Sequence, residues 1–383
     1  MMRTAELLLQ ILRAELHGEC LCSEQISDCD LAELYRLSKV QNFLYCVTEA
    51  LSKAQSLPKE EKLHEAYKSG EMREIVQIVR INDTFDRIRK IFTDAKIPFV
   101  PLKGLRLRKM YPDEMMRTSC DLDVLVKETD LDRASATLTD NGFSTDGKRH
   151  YHDISFYYGQ VHLELHFSIC ENMTDIDALL QQVWENLVPV GECEYHESPE
   201  FFAAHHLAHM KYHFVHGGCG FRPFLDLFVM RMNGFYDEEK LRGLLKCAAL
   251  EKFYDSALQI IGVWFDGNEE TSLSRCCEEY ILRGGMYGSM DNAVAVNSSV
   301  QNGKYRGALH LAFPGFADMC IVYPILKKKR FLLPVFYIRR ITEKLFGRER
   351  KRVGKKMKNI ITQDQRQIDN VGDLLSAMGI KQG

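Results

Sequence analysis

Two short stretches decide the fold: Asp121-Leu-Asp-Val-Leu-Val126 and Val161-His-Leu-Glu-Leu-His-Phe167. Successive side chains of a β-strand point to opposite faces. In the first stretch Leu122, Val124 and Val126 share one face, and Asp121 and Asp123 the other. In the second, Val161, Leu163, Leu165 and Phe167 form an apolar face opposite His162, Glu164 and His166. Each strand thus offers a hydrophobic side to a core and an ionisable side to a cleft. As sheet neighbours they would bring Glu164 opposite Asp121 and Asp123. Three carboxylates so close repel one another, and a divalent cation relieves the repulsion; hard oxygen ligands favour Mg²⁺ or Mn²⁺. Such a centre suits phosphoryl or nucleotidyl transfer, where a cation neutralises phosphate oxygens and acidifies an attacking hydroxyl. The same alternation also describes a half-solvated strand edge.

Upstream, Ile97-Pro-Phe-Val-Pro101 reads as an extended run bounded by prolines, which disfavour helix. Lys103-Gly104 then opens a short helix over 105–110. Glycine lets backbone N–H groups approach a phosphate, and the lysine beside it adds a point charge. A helix over 130–141, stopped by Asn141-Gly142, and a strand over 154–158 complete a small α/β layer. Helical spacing marks Leu31, Leu34, Leu37 and Val40, and again Ile75, Ile78, Val79, Phe85, Ile88 and Phe92. Downstream, helices are expected over 200–214, 223–233, 237–247 and 249–263, with glycine loops at 217–220 and 284–288.

The 383 residues are 45% hydrophobic, 27% charged and 10% aromatic, which excludes a disordered, collagenous or coiled-coil chain. The net charge of −3 excludes a global pull onto nucleic acid or membrane. It conceals a segment, residues 327–358, with 14 Lys and Arg against Glu343 and Glu349, leaving −15 on the rest. Such a block seeks phosphate, an anionic lipid surface or the protein's own acids. Its interleaved apolar residues predict a helix beginning near Pro334 with its apolar side packed on the helical domain. The 12 cysteines show no CxxC spacing and read as reduced thiols of a cytoplasmic protein. Residues 1–16 read as an amphipathic helix rather than a signal peptide, and no stretch has the apolar length of a spanning segment.

The run Phe99-Val-Pro-Leu-Lys-Gly-Leu-Arg-Leu-Arg-Lys-Met-Tyr111, followed by Arg117 and Asp121–Val126, resembles the polymerase-β-like nucleotidyltransferase superfamily. More narrowly it resembles a bacterial family of uncharacterised nucleotidyltransferases. Val161–Phe167 is similar to that family's third-carboxylate strand, and HHLAHMKYHFVHGGCGFRPFLDLF, residues 205–228, to its helical half. Where the superfamily usually carries a glycine–serine pair, this chain has Lys103-Gly104. The resemblance implies an α+β fold: a small mixed sheet at residues 96–190, preceded by a helical region, 1–95. A helical domain, 191–325, and the basic segment with a polar tail, 326–383, follow.

It further implies a Mg²⁺- or Mn²⁺-dependent enzyme that transfers a nucleotide from an NTP such as ATP to a hydroxyl acceptor, releasing pyrophosphate. Asp121, Asp123 and Glu164 would bind the metal and carry catalysis, and Lys103, Gly104, Arg117, His166 and His209 would contact the nucleotide. The acceptor is open: a sugar, polyol, other small molecule, RNA end or protein. A catalytically silent nucleotide- or partner-binding protein of the same fold is the alternative. Several single residues keep two readings. Arg117 either clamps a triphosphate or orients Asp121. His205, His209 and His213 share a helix face that either lines the cleft or packs with satisfied imidazoles; a zinc site there is a weaker reading. Arg222 and Asp226, one helical turn apart, are expected to pair. Asp123→Asn is expected to leave stability equal or higher by relieving repulsion. The segment 327–358 is a candidate for peripheral contact with an anionic membrane.

Overall fold

The computed structural model describes residues 2–26, 29–285, 288–300, 313, 315–346 and 365–380. The protein is α+β, a five-stranded mixed sheet flanked by helices. It packs as two compact units: Met1–Tyr212 with Phe221–Glu270, and His213–Gly220 with Thr271–Gly383.

In the first unit, helices α1 (Met2–His17), α2 (Ser23–Ile26), α3 (Leu31–Val40), α4 (Leu44–Lys53) and the long α5 (Glu61–Asp94) precede the sheet. Strand β1 (Phe99–Pro101) leads through the turn at Lys103 into α6 (Gly104–Arg108). Then come β2 (Asp121–Val126), α7 (Leu131–Asp140), β3 (Ser144–Arg149), β4 (Asp153–Tyr158) and β5 (Val161–His166). The sheet order is β1-β2-β5-β4-β3, and only β2 and β5 run parallel.

The apolar faces of β2 and β5 both turn inward. Leu122, Val124, Val126, Val161, Leu163 and Leu165 join one buried cluster with Ile81, Phe85, Ile88 and Phe92 of α5 and Leu131, Ala134 and Leu138 of α7. Each fully buried branched or aromatic side chain contributes roughly 1.5–3 kcal/mol. This burial also pins the register, because a one-residue slip would drive the carboxylates into the core.

Two strand features were not expected from sequence. Strand β3, STDGKR, is exposed along its whole length, so it lacks the apolar alternation that signals a strand. A separate ladder pairs β6 (Leu187–Pro189) with β7 (Tyr195–Glu197). The helix α8 (Thr174–Leu180) was not expected either, whereas α9 (Pro199–Val215), α10 (Arg222–Met232), α11 (Glu238–Cys247) and α12 (Glu251–Phe265) match the expected helical half.

In the second unit, α13 (Ser272–Gly284) starts with a reciprocal capping box between Thr271 and Ser274. It is followed by α14 (Met290–Val300). The two glycine loops pack on each other. A Cβ on Gly288, whose φ is +74°, would lie 2.6 Å from the Gly217 carbonyl carbon, so the close approach requires glycine.

The basic segment begins its helix, Leu333–Phe346, one residue before Pro334. Proline is tolerated there because its missing N–H falls in the first turn. The expected packing holds for only part of this helix. Leu333, Phe336 and Tyr337 pack on Met319, Cys320 and Leu326, whereas Val335 and Ile338 are exposed. Residues 347–358 of the segment lie outside the described residues. Among the described residues, no helix is long and apolar enough to cross a membrane.

Candidate active site

The parallel pairing of β2 with β5 sets Asp123 beside Glu164, Asp121 beside His162 and Leu125 beside His166. Asp121, Asp123, His162, Glu164 and His166 therefore share the polar face. Asp123, Glu164 and His166 offer ligand atoms all within 4.8 Å of one another. His166 Nε2 lies 3.1 Å from an Asp123 oxygen and 3.3 Å from a Glu164 oxygen. Asp121 stands one pleat away on the same face, outside this tightest group.

Lys103 reaches the cluster from the β1–α6 turn, its Nζ 3.9 Å from Asp123. Its φ of +43° is a left-handed conformation that favours glycine, and a non-glycine residue there costs roughly 1–3 kcal/mol. Attraction between the ammonium and the surrounding carboxylates offsets that strain. Burial works against its charge, but Asp123, Asp121, Glu171 and Glu164 outweigh burial and raise its pKa.

The two aspartates are not equivalent. Burial, then Asp123 and Glu164, push the Asp121 carboxyl up to about 6, against the pull of Lys103. Burial also opposes ionisation of Asp123, yet Lys103 and the His166 hydrogen bond prevail and hold it well below the usual carboxylate range. His166 follows suit. Burial disfavours its charge, but its bonds to Asp123 and Glu164 raise it to about 9, so it is an imidazolium at neutral pH. Its ring stacks on His152, which burial and this neighbouring cation keep neutral. Relief of repulsion thus belongs to Asp121→Asn, not to the expected Asp123→Asn, because Asp123 is the member with cationic partners.

Sequence reasoning missed a fourth carboxylate. Glu171, in the loop after β5, is buried, and burial raises its pKa. His209 Nδ1 lies 2.6 Å from its Oε1. Loop residues follow no face periodicity, so nothing in the sequence signalled it. Four carboxylates thus surround Lys103, and His166 bonds two of them, Asp123 and Glu164, so acids predominate at this face. That charge and this donor set fit one divalent cation, with Asp123 and Glu164 as the central oxygen ligands and Asp121 and His166 within reach of the same face.

Beneath the Lys103–Gly104 turn lies a second layer. A Cβ on Gly104 would sit 3.4 Å from Ser119 Oγ and 3.8 Å from Arg117 Nη1. Ser119 Oγ accepts from Arg108 Nη2 at 2.8 Å. Arg108 is fully buried on neutral acceptors, also donating to Asn82 Oδ1 and the Arg117 carbonyl, and burial lowers its pKa to about 10. Ser119 could not be found from sequence, because only the fold carries it back to Gly104.

The remaining expected residues take these positions. Arg117 is buried, donating from Nε to Asp226 Oδ1 at 2.8 Å and from Nη1 to the Thr118 carbonyl. Tyr111 donates to the same Asp226 oxygen at 2.6 Å. The expected Arg222–Asp226 pair is therefore corrected: Asp226 serves Arg117, and Arg222 donates to the carbonyls of Met116 and Asn42. The histidine face of α9 meets acids as well. His205 Nδ1 lies 2.9 Å from the buried Glu197, and His206 bonds the Pro223 carbonyl.

No curated protein and no solved structure matches this chain significantly. The sequence signature of the family described as "Uncharacterised nucleotidyltransferase" matches residues 27–266, which contain the whole sheet, the carboxylate cluster and α9 to α12. On that match over more than half of its length, the chain belongs to the uncharacterised nucleotidyltransferase family.

Proposed function

We propose that this protein is a metal-dependent nucleotidyltransferase that moves a nucleotide from an NTP to a hydroxyl acceptor with loss of pyrophosphate. Family membership supports NTP transfer in general terms. The observation that carries the finer reading is the in-register placement of Asp123 beside Glu164, next to the Lys103–Gly104 turn.

Asp123 and Glu164, with Asp121, would hold Mg²⁺ or Mn²⁺. A bound cation would neutralise phosphate oxygens and make the acceptor hydroxyl more acidic. Glu164, in register with Asp123, would assist removal of the acceptor proton. Lys103 and the Gly104 backbone would bind the triphosphate. Ser119 would supply from below the hydroxyl that a glycine–serine pair supplies in line. Arg117 would act through its field rather than by direct contact, since its Nε and Nη1 are committed to protein acceptors. His166 and His209 would orient Asp123 and Glu171 at the edge of the nucleotide site. Positioning and charge neutralisation would account for most of the rate.

One observation favours a catalytically silent binder. Lys103 already places a cation at the acidic cluster, in a turn where glycine would be unstrained. Incubation with each α-labelled NTP, Mn²⁺ or Mg²⁺ and cell extract separates the readings. Label transferred by the wild type and lost in Asp123→Asn is the expected result. Undiminished transfer in that variant refutes the role of Asp123. Saturable nucleotide binding without transfer establishes the silent binder.

A further inference from the structure

Outside the carboxylate site, the described residue with the largest exposed apolar side chain is Phe331, 77% accessible. Val335 and Ile338 follow it at 58% and 65%; these two, three residues apart, share one side of the helix Leu333–Phe346, and Phe331 lies in the 3-10 turn that leads into it. The helix Leu333–Phe346 therefore carries two apolar stripes. The stripe through Leu333, Phe336 and Tyr337 is packed on Met319, Cys320 and Leu326, and the second faces solvent. Val322 and Ile325, nearby in the chain, are exposed too.

Cations frame this apolar surface. Lys327, Lys328, Lys329 and Arg330 are four consecutive exposed basic residues directly before Phe331, and Arg339 is exposed after Ile338. Two of the guanidiniums are held in place by rings: Arg330 lies over Phe316 at 4.9 Å and Arg339 over Tyr323 at 5.8 Å. Ordering these charges in advance lowers the entropy cost of docking them on an anionic surface.

Each half of the pattern excludes a class of occupant. A nucleic acid would satisfy the cations but leave Phe331, Val335 and Ile338 in water. A purely apolar protein face would cover those three but strand the cations. A surface apolar at depth and anionic at its rim satisfies both, and a bilayer leaflet containing anionic phospholipid has that layering. We propose that Phe331, Val335 and Ile338 insert into the headgroup boundary of an anionic membrane while Lys327–Arg330 and Arg339 contact its phosphates. Docking is peripheral, and it stands independently of the reaction at the carboxylate site.

The test uses the full chain and vesicles of phosphatidylcholine with or without phosphatidylglycerol. Sedimentation should show binding to the anionic vesicles, at least roughly tenfold weaker binding to the neutral ones, and release as salt screens the charges. The triple change Phe331→Ser, Val335→Ser and Ile338→Ser should weaken binding by roughly tenfold or more. Its melting curve should be unchanged, because the residues are already exposed. Phe331→Trp should give tryptophan emission that shifts blue on anionic vesicles. Absence of an anionic preference overturns the proposal, as does full binding by the triple variant. Salt-sensitive binding without the blue shift, matched by equal binding to polyglutamate, also overturns it and assigns the surface to an acidic protein.

Discussion

Replacing Asp121 with asparagine removes a carboxylate that burial, Asp123 and Glu164 hold ionised against its preference. Its folded pKa is about 6 against an ordinary 3.8, so the folded state takes up a proton more readily than the unfolded chain. Wild-type stability therefore falls as pH rises from about 4 to about 6 and stays low above it. At about 1.4 kcal/mol per pH unit between the two values, the ceiling is about 3 kcal/mol. Asp121 is only partly buried, and Lys103 screens part of the repulsion, so about 1–2 kcal/mol is expected. Asparagine keeps the shape and loses the charge. In EDTA, Asp121→Asn should be more stable than the wild type by that amount at pH 7, and the two should converge near the ordinary carboxylate value. Urea titration followed by tryptophan fluorescence reads the correct part of the molecule, because Trp184 and Trp264 both belong to the unit that contains the sheet. A variant less stable at pH 7, or an offset that does not change between pH 4 and pH 7, would refute the reasoning.

Asp123→Asn should instead destabilise the metal-free protein by about 1–3 kcal/mol, since it strands Lys103 and the His166 imidazolium, and should abolish Mn²⁺ binding measured by electron paramagnetic resonance. His166→Asn addresses the opposite pH range: a group raised to about 9 contributes stability that is full below about 6.5 and lost as pH rises through 9, so alkaline melts of the variant should lack the wild-type decline. Arg117→Met leaves Asp226 buried and hydrogen-bonded by Tyr111 but without its cation, and should cost about 3–5 kcal/mol by denaturant titration; a cost below 1 kcal/mol would show that the pair is not structural.

The faces of β2 and β5 were legible in sequence because period two is a local property, and burial of Leu122, Val124, Leu163 and Leu165 enforces it. The helical half was legible for the same reason at a period of 3.6. Strand β3 was not, because an exposed edge strand has no core to write apolar residues into its sequence. What only the tertiary structure decided is which elements are neighbours. Parallel pairing brings His166 to Asp123 across 43 residues, and Asp226 reaches Arg117 across 109. The same convergence delivers Glu171 to Lys103 and Ser119 to Gly104. Charge balance around Asp121 and Asp123 is a sum over all these groups at a few ångströms. A sequence determines which side of a strand a carboxylate faces; its ionisation depends on desolvation and on charges that only folding assembles.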